Sequence, residues 1–388
     1  MIWTGLAAAA LAAWLGLLAG RGGFWRAIPR LDGAGDAPPP PGSWTAVAAV
    51  VPARDEAETV GAAVASLVAQ DYPGAFSVVV VDDGSGDGTA RIARAAGAGA
   101  DVSAIAAGAL AAGWTGKVWA LARGLAHVAE TRPRVRYLWL TDADIVHPPD
   151  MLRALVADAE SRRLDLLSLM VGLRAESFWE RLLISPFVLF FRKLYPFAWV
   201  NDTGRRNAAA AGGCVLLRRG ALQRIGGIGA IRDALIDDIA LARAVKPGGP
   251  IRIALTAGSR SIRRYSGLGP IWAMVARSAF DQLGHSALAL ALTVLGMGFA
   301  YLLPPAAVLG LPLHGELLAA GLGAAAWFAM AFAAAPTCRL YGQNALAGFA
   351  LPAAAALFAA MTVDSARRHW TGGSAWKSRV YPAGRGDG

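Results

Sequence analysis

The residues best equipped for chemistry in this chain are acids set beside tight turns. Residues 138–146 read LWLTDADIV, an apolar run ending in Asp142 and Asp144 with a single alanine between them. Two anions this close repel unless a proton, the N–H groups of a turn or a metal ion neutralises them. Three further stretches share the character. VVPARDEAETV supplies Pro52, Arg54, Asp55 and Glu56 after an apolar run, and VVVVDDGSGDGT supplies Asp82 and Asp83 ahead of a glycine-rich turn. ALIDDIALARAV carries Asp237 and Asp238 where a helical pattern begins. Any one of these acids alone is explained by a turn or a helix cap. Three of the four stretches follow apolar runs, however, so one sheet edge would gather them.

The surrounding elements must build that edge. WTAVAAVV breaks at Pro52 and leads into a helix pattern through Gln70, and SVVVV runs into a Gly/Asp turn and a second helix pattern. YLWL precedes the acidic turn and a helix starting near Pro149. Strand–turn–helix units in series predict an α/β fold, with a parallel sheet covered by helices on both faces. The acidic turns then fall at the carboxyl ends of the strands, where open α/β sheets bind ligands.

The 388 residues are 55% hydrophobic and only 16% charged, too apolar for an ordinary soluble domain. The excess sits in four uncharged stretches, residues 2–19, 286–313, 317–338 and 340–363. Each is near or above the length of about 20 residues that spans a bilayer as a helix. The pattern predicts an N-terminal anchor (1–20), a Pro/Gly linker (21–43), a soluble domain (44–285), transmembrane helices (286–363) and a basic tail (364–388). Stretches near 176–196 and 270–283 read as helices at the headgroup level, and for the first a helix docked on the domain is the open alternative. Arg21, Arg26 and Arg30 after the first span suit an uncleaved anchor with a cytoplasmic continuation. Four spans would then leave the C-terminus outside, whereas Arg367, Arg368, Lys377, Arg379 and Arg385 favour the cytoplasm. One stretch is therefore expected to be re-entrant or paired differently, and residues 340–363, interrupted by Pro352, are the first suspect.

The net charge of +10 suits anionic headgroups first and phosphorylated ligands second. No Lys/Arg-dense helix interleaved with aromatics points to nucleic acid. Two isolated cysteines, Cys214 and Cys338, are too few for a disulfide framework or a zinc site and suit a reducing compartment.

The succession PARDEA, VVDDGSGDGT, TDADI, GGCVLLRR and IDDIALA, over about residues 45–285, resembles the family 2 glycosyltransferases of the GT-A fold. The anchor, interfacial helices and C-terminal spans are similar to the subgroup acting on membrane lipids, most of all the hopanoid-biosynthesis-associated glycosyltransferase of bacteria. The resemblance implies a Rossmann-like nucleotide-sugar-binding domain on the cytoplasmic side of the bacterial inner membrane. It implies inverting transfer of one sugar from a nucleotide-sugar, a UDP-sugar in the first instance, to a membrane lipid. A hopanoid is the implied acceptor, with polyprenyl phosphate or a glycerolipid as alternatives. A divalent cation, Mg²⁺ or Mn²⁺, would be held by Asp144 and Asp142 against the sugar diphosphate, since hard cations take carboxylate and phosphate oxygens.

The same resemblance assigns the remaining residues. Asp82 or Asp83 would contact the base or ribose, with Pro52, Arg54 and Glu56 lining that pocket. Lys117, in GWTGKVWAL, would contact phosphate or nucleotide, a solvated turn lysine being the alternative. Asp238 would be the base that takes the acceptor's proton, with Asp237 where the family usually has Glu. Gly212, Gly213 and Cys214 match the acceptor-side loop. Polymerising members carry Gln-x-x-Arg-Trp, whereas RSAFDQL offers Arg277 and Gln282 in the wrong order and without the tryptophan. That departure favours a single transfer and leaves Arg277 as a diphosphate candidate. The tail HWTGGSAWKSRVY is similar to one in the lipid-acting subgroup. The rival reading is a haloacid-dehalogenase-like phosphatase, in which the two aspartates of LTDADIV would be nucleophile and acid/base. That motif should open its fold, and here two strand–turn–helix units precede it.

Overall fold

The computed structural model describes residues 1–40, 42–372, 374–376 and 379–381. Lys377, Arg385 and the end of the basic tail lie outside the described residues. By its packing the chain divides into a helical unit (Met1–Ala27, Ala175–Ala198, Tyr265–Gly388) and a sheet unit (Ile28–Arg174, Trp199–Arg264).

The sheet unit opens with β1 (Val47–Ala53), α2 (Val60–Val68; α1 belongs to the helical unit), β2 (Phe76–Asp82), α3 (Thr89–Ala96) and β3 (Val102–Ala106). It continues with α4 (Gly116–Thr131), β4 (Tyr137–Thr141), β5 (Ile145–Val146), α5 (Met151–Ser161) and β6 (Leu166–Gly172). After α6 (Phe178–Leu194) and the short α7 (Phe197–Val200) come β7 (Cys214–Arg218), α8 (Arg219–Arg224), α9 (Asp237–Val245) and β8 (Ile251–Ser261). The eight strands run in the order β3-β2-β1-β4-β7-β6-β8-β5.

The expected parallel sheet is present only in part. Strands β3, β2, β1 and β4 are parallel neighbours. β7, however, is antiparallel to both β4 and β6, and β5 is antiparallel to β8. The reason lies in the connections. Helical crossovers return the chain to the same end of the sheet and so make parallel pairs. The segment from β6 to β7 leaves for the helical unit instead, which frees β7 to enter from the other end.

Burial explains why β1, β2 and β4 are near-continuous apolar runs. Val50, Val80 and Trp139 are fully covered, because helices shield the faces of the sheet. A Cβ on Gly124 of α4 would fall 2.5 Å from Val50 Cγ1 and 2.8 Å from Val81 Cγ2, so this glycine sets how closely the helix lies on the strands.

The helical unit contains four helices long and apolar enough to cross a membrane among the described residues: Ile2–Gly20, Ala287–Leu309, Leu317–Leu340 and Ala345–Thr371. The first is α1, and α10 (Leu268–Ala276) precedes the others. The second joins α11 (Ala287–Met297) to α12 (Leu303–Leu309) through a π-helical turn, and the short α13 (Leu311–His314) follows. The third is α14 (Leu317–Leu340), and α15 (Leu351–Gly372) forms most of the fourth after a 3₁₀ turn at Ala345–Ala350. Pro352, suspected of interrupting a span, sits in the first turn of α15, where its missing N–H costs nothing. Trp14, Phe24, Leu189, Tyr301, Met330 and Leu351 form one apolar cluster of this unit. Leu288, Leu292 and Leu295 face outward along one stripe of α11, as lipid-facing residues would.

The capped helix α6 is bound into this unit. Ser177 accepts from the Glu180 N–H, and Glu180 accepts in return from Ser177 and Glu176, a capping box. Farther along, Arg192 donates to Thr337 Oγ1 at 3.1 Å, Lys193 donates to the Tyr301 hydroxyl at 2.6 Å, and Arg21 donates to the Lys193 carbonyl at 2.9 Å.

Gly124→Val should overpack the α4–sheet contact and destabilise the sheet unit by about 1–3 kcal/mol. The thermal unfolding midpoint of the purified protein measures this. An unchanged midpoint would mean that α4 is free to lift from the strands.

Candidate active site

The turn after β4 begins the site. Thr141 ends the strand, the Ile145 N–H bonds back to the Asp142 carbonyl at 3.2 Å, and β5 then pairs with β8 so that Ile145 stands opposite Ser261. This register delivers Asp144 to the end of β8. Its Oδ2 accepts from Ser261 Oγ at 3.0 Å and from Arg263 Nε at 2.8 Å. The same guanidinium reaches Glu56 through Nη2, at 2.5 and 2.7 Å from the two carboxylate oxygens. Arg263 therefore joins the PARDEA loop to the DAD turn. It stays charged at every accessible pH: burial opposes the charge, but Asp144 and Glu56 more than offset it.

Asp142 turns the other way. Its Oδ1 lies 3.0 Å from Lys117 Nζ, and that ammonium is 3.2 Å from Asp237 Oδ2. Lys117 reaches both because the start of α4 is tied to the segment before α9: the Thr115 N–H donates to the Arg232 carbonyl at 2.8 Å. Burial works against the lysine's charge, yet Asp142, Asp237 and Asp238 together raise its pKa. Burial likewise raises the pKa of Asp142; Lys117 counters this, and Asp144 and Asp237 add to it.

Asp238, in the first turn of α9, accepts from the Gly212 N–H at 2.8 Å and from the Ile239 N–H at 2.7 Å. It is pushed up to about 6, first by burial and then by the neighbouring Asp237 charge, with Lys117 pulling the other way. Gly212 is a glycine for a steric reason: a Cβ there would lie 3.1 Å from Lys117 Nζ and 3.4 Å from Asp238 Oδ2. Pro52, Lys117, Asp142, Gly212, Asp237 and Asp238 line one cleft, over apolar walls that include Leu121 and Leu241.

A buried relay locks the turn beneath it. Thr141 Oγ1 donates to the Gly213 carbonyl at 2.8 Å, so it must accept from His147 Nε2 at 2.9 Å. His147 Nδ1 then accepts from Ser259 Oγ at 2.7 Å. Burial holds this imidazole neutral, with its pKa lowered to about 3.

The PARDEA loop and the DDGSGDGT turn are bonded to each other. The Glu56 N–H donates to Thr89 Oγ1 at 2.8 Å, the Ala57 N–H to Asp87 Oδ2 at 2.9 Å, and the Gly86 N–H to Asp55 Oδ1 at 3.1 Å. Arg54 donates to the Asp83 carbonyl at 2.5 Å, and Asp82 accepts from Ser85. Asp83 is buried and Asp82 only half-buried, which gives Asp82 the freer access to a ligand.

Of the residues singled out in the sequence, Arg54, Glu56, Asp82, Asp83, Asp144, Gly213 and Cys214 and the pair Arg277 and Gln282 are not among those lining this cleft. Cys214 points into the core, where Trp139 Nε1 donates to its Sγ at 3.3 Å and burial pushes its thiol up to about 12. Arg277 and Gln282 belong to the helical unit, Arg277 exposed just after α10. Sequence reasoning missed Arg263, His147 and Ser261. Only the pairing of β5 with β8 brings the first and last of these to Asp144.

The model of the family described as "Glycosyltransferase like family 2" matches residues 41–276. The chain belongs to glycosyltransferase family 2. No curated protein matches this glycosyltransferase. Among solved structures it is similar to the mannosyltransferase PcManGT from Pyrobaculum calidifontis, solved with GDP-Man and Mn²⁺, at 19% identity and a TM-score of 0.56, covering 95% of this chain and 99% of that one. It also matches mannosyl-3-phosphoglycerate synthase from Rubrobacter xylanophilus, at 21% identity and a TM-score of 0.37, over 62% of this chain and 74% of that one. Glucosyl-3-phosphoglycerate synthase from Mycobacterium tuberculosis, solved with Mg²⁺ and UDP, matches at 19% identity and a TM-score of 0.38, over 62% and 80%. The likeness in fold to PcManGT covers nearly the whole chain.

The two charges flanking Asp238 shift it in opposite directions. Asp237→Asn should move the acidic limb of the enzyme's pH–rate profile to lower pH, and Lys117→Met should move it to higher pH. Identical limbs in both variants would remove Asp238 from the titration.

Proposed function

We propose that this glycosyltransferase moves one sugar from a nucleotide-sugar to a membrane lipid, with inversion at the sugar carbon. The observation that carries the reading is the single cleft in which Lys117 bridges Asp142 of the DAD turn to Asp237, with Asp238 alongside. A donor diphosphate and an acceptor hydroxyl need such opposed groups, one to hold the leaving group and one to take a proton.

The residues present fit a divalent cation. Asp142 Oδ2 and Asp144 Oδ1 accept none of the hydrogen bonds described above, and both are hard oxygen donors. Among the described residues no group of three or more metal-ligating side chains exists, so Asp142 and Asp144 would be its protein ligands, with diphosphate oxygens among the others. When bound, the cation would offset the negative charge that develops on the leaving diphosphate.

The chain's own groups do the rest. Asp238, ionised above about pH 6, removes the proton of the acceptor hydroxyl. That oxygen bonds to the anomeric carbon as the bond to the diphosphate breaks, and the nucleoside diphosphate leaves with the electron pair. Lys117 stands where it can follow the diphosphate charge, and Gly212 leaves room for the acceptor beside Asp238. In this reading Asp142 and Asp237 are paired with Lys117 and neither acts as a sugar nucleophile, which is why one inversion is expected. Asp82, Asp83, Pro52, Arg54 and Glu56 form the nucleotide side.

The acceptor is a lipid because the same chain carries four helices suited to crossing a membrane. The arginines after α1 support the sheet unit on the cytoplasmic side, the four apolar helices support a multi-pass position, and the bacterial inner membrane rests on the sequence resemblance. A hopanoid acceptor rests on the sequence resemblance.

Asp144→Ala and Asp238→Asn should each abolish transfer, the second by at least about 10²–10⁴-fold. Asp144→Ala should also lose metal-dependent donor binding, measured by titrating nucleotide-sugar with and without Mn²⁺, and Asp238→Asn should keep it. Full activity in either purified variant would overturn the assignment.

A further inference from the structure

A second cavity, of ≈ 330 Å³, lies wholly within the helical unit, between α6 and the adjoining ends of α14 and the last candidate span. Its volume is at the lower end of the roughly 300–1,000 Å³ of small-molecule sites. Leu182, Pro186, Ala334, Ala347 and Leu351 give it apolar walls. The turn Tyr341–Asn344, which joins the two spans, closes one end, so the cavity sits where the apolar stretches give way to polar residues.

Its polar groups are unusual in kind. Arg181 is the one charged side chain among the lining residues, and none of the described ion pairs or hydrogen bonds engages its guanidinium. One helical turn on, Ser185 is 1% exposed and its hydroxyl has no hydrogen-bond partner. A buried hydroxyl left unpaired is costly unless a ligand or water meets it. Asn344 uses its Oδ1 to cap the Leu346 N–H, which leaves its amide N–H₂ to donate. The lining thus offers a guanidinium, a hydroxyl and an amide as donors, and no carboxylate. Arg181 and Ser185 are four residues apart on one helix and present their donors on the same face.

We infer that this cavity binds the phosphate-bearing head of a membrane lipid, with the first part of its chain along the apolar walls. Charge selects the head, because an unpaired guanidinium beside neutral donors favours an anion with several acceptor oxygens. Position selects a lipid over a free anion, because two candidate spans form the walls. The inference rests on the membrane placement proposed above and not on the sugar-transfer chemistry.

The test uses delipidated full-length protein in neutral detergent, with bound lipid counted by native mass spectrometry. The probes are a short-chain polyprenyl phosphate, phosphatidylglycerol and a neutral triterpene alcohol. Wild type should take up one phosphate lipid per chain, which Ala347→Phe abolishes, whereas uptake of the alcohol, an acceptor for the sugar-transfer cleft, should be the same in Ala347→Phe as in wild type. Arg181→Gln should weaken that binding about 10–100-fold, the range for one charge-assisted hydrogen bond. Ser185→Ala should weaken it several-fold, and Ala347→Phe, which fills the cavity, should abolish it. Unaltered donor binding in each variant would show that the fold is intact. Preference for the prenyl phosphate supports the site with an acceptor in it, and equal uptake of both phosphate lipids supports it with a bulk phospholipid. Loss of alcohol uptake in Ala347→Phe alongside the phosphate lipids, or wild-type binding by both Arg181→Gln and Ala347→Phe, overturns it.

Discussion

Like-charge repulsion at the carboxyl edge of the sheet is the constraint around which the rest of this protein is arranged. Glu56, Asp142, Asp144, Asp237 and Asp238 come from three separate loops, and two cations, Lys117 and Arg263, each pair with acids from two of them. Each cation is shared between loops rather than spent on one acid. Remove the sharing and the loops would separate, because two carboxylates within a few ångströms cannot both remain ionised and unpaired in a crevice. The charge left over is negative, which suits the cation proposed above to accompany a polyanionic donor.

The neutral parts of the structure serve the same end. The Ser259–His147–Thr141–Gly213 relay carries no charge, so it holds the DAD turn against the glycine loop without entering the electrostatic balance above it. Gly212 lets Lys117 and Asp238 approach through a space that any side chain would fill. Backbone N–H groups fix Asp238 and pull its pKa down, while burial and then Asp237 outweigh them and push it up to about 6.

Much of this was legible in the sequence, because local pattern reports local structure. The apolar runs ending in acids are strands ending in turns, and the four uncharged stretches are the four long apolar helices. Lys117 earned a place as a candidate, although its partners turned out to be aspartates of the chain itself. What stayed hidden depends on pairing between distant segments. Arg263 lies 119 residues from Asp144 in a stretch with other arginines, and nothing local separates it from Arg260 or Arg264. The reversal of β7 was hidden for a related reason: period and composition describe a strand but not its direction. Cys214 read as part of a loop motif, yet the alternation of a strand turned it inward onto Trp139.

The threading of the chain has a practical consequence. α6 lies between β6 and β7 in sequence, yet its buried residues Leu183 and Leu189 pack with helices from the two ends of the chain. Trimming α1 and the C-terminal helices would therefore not release a water-soluble enzyme. It would leave an apolar helix, with a buried arginine at its far end, spliced into the middle of the sheet's connectivity. The helical unit is an insertion as much as an anchor, because one of its helices lies between two strands of the sheet in sequence.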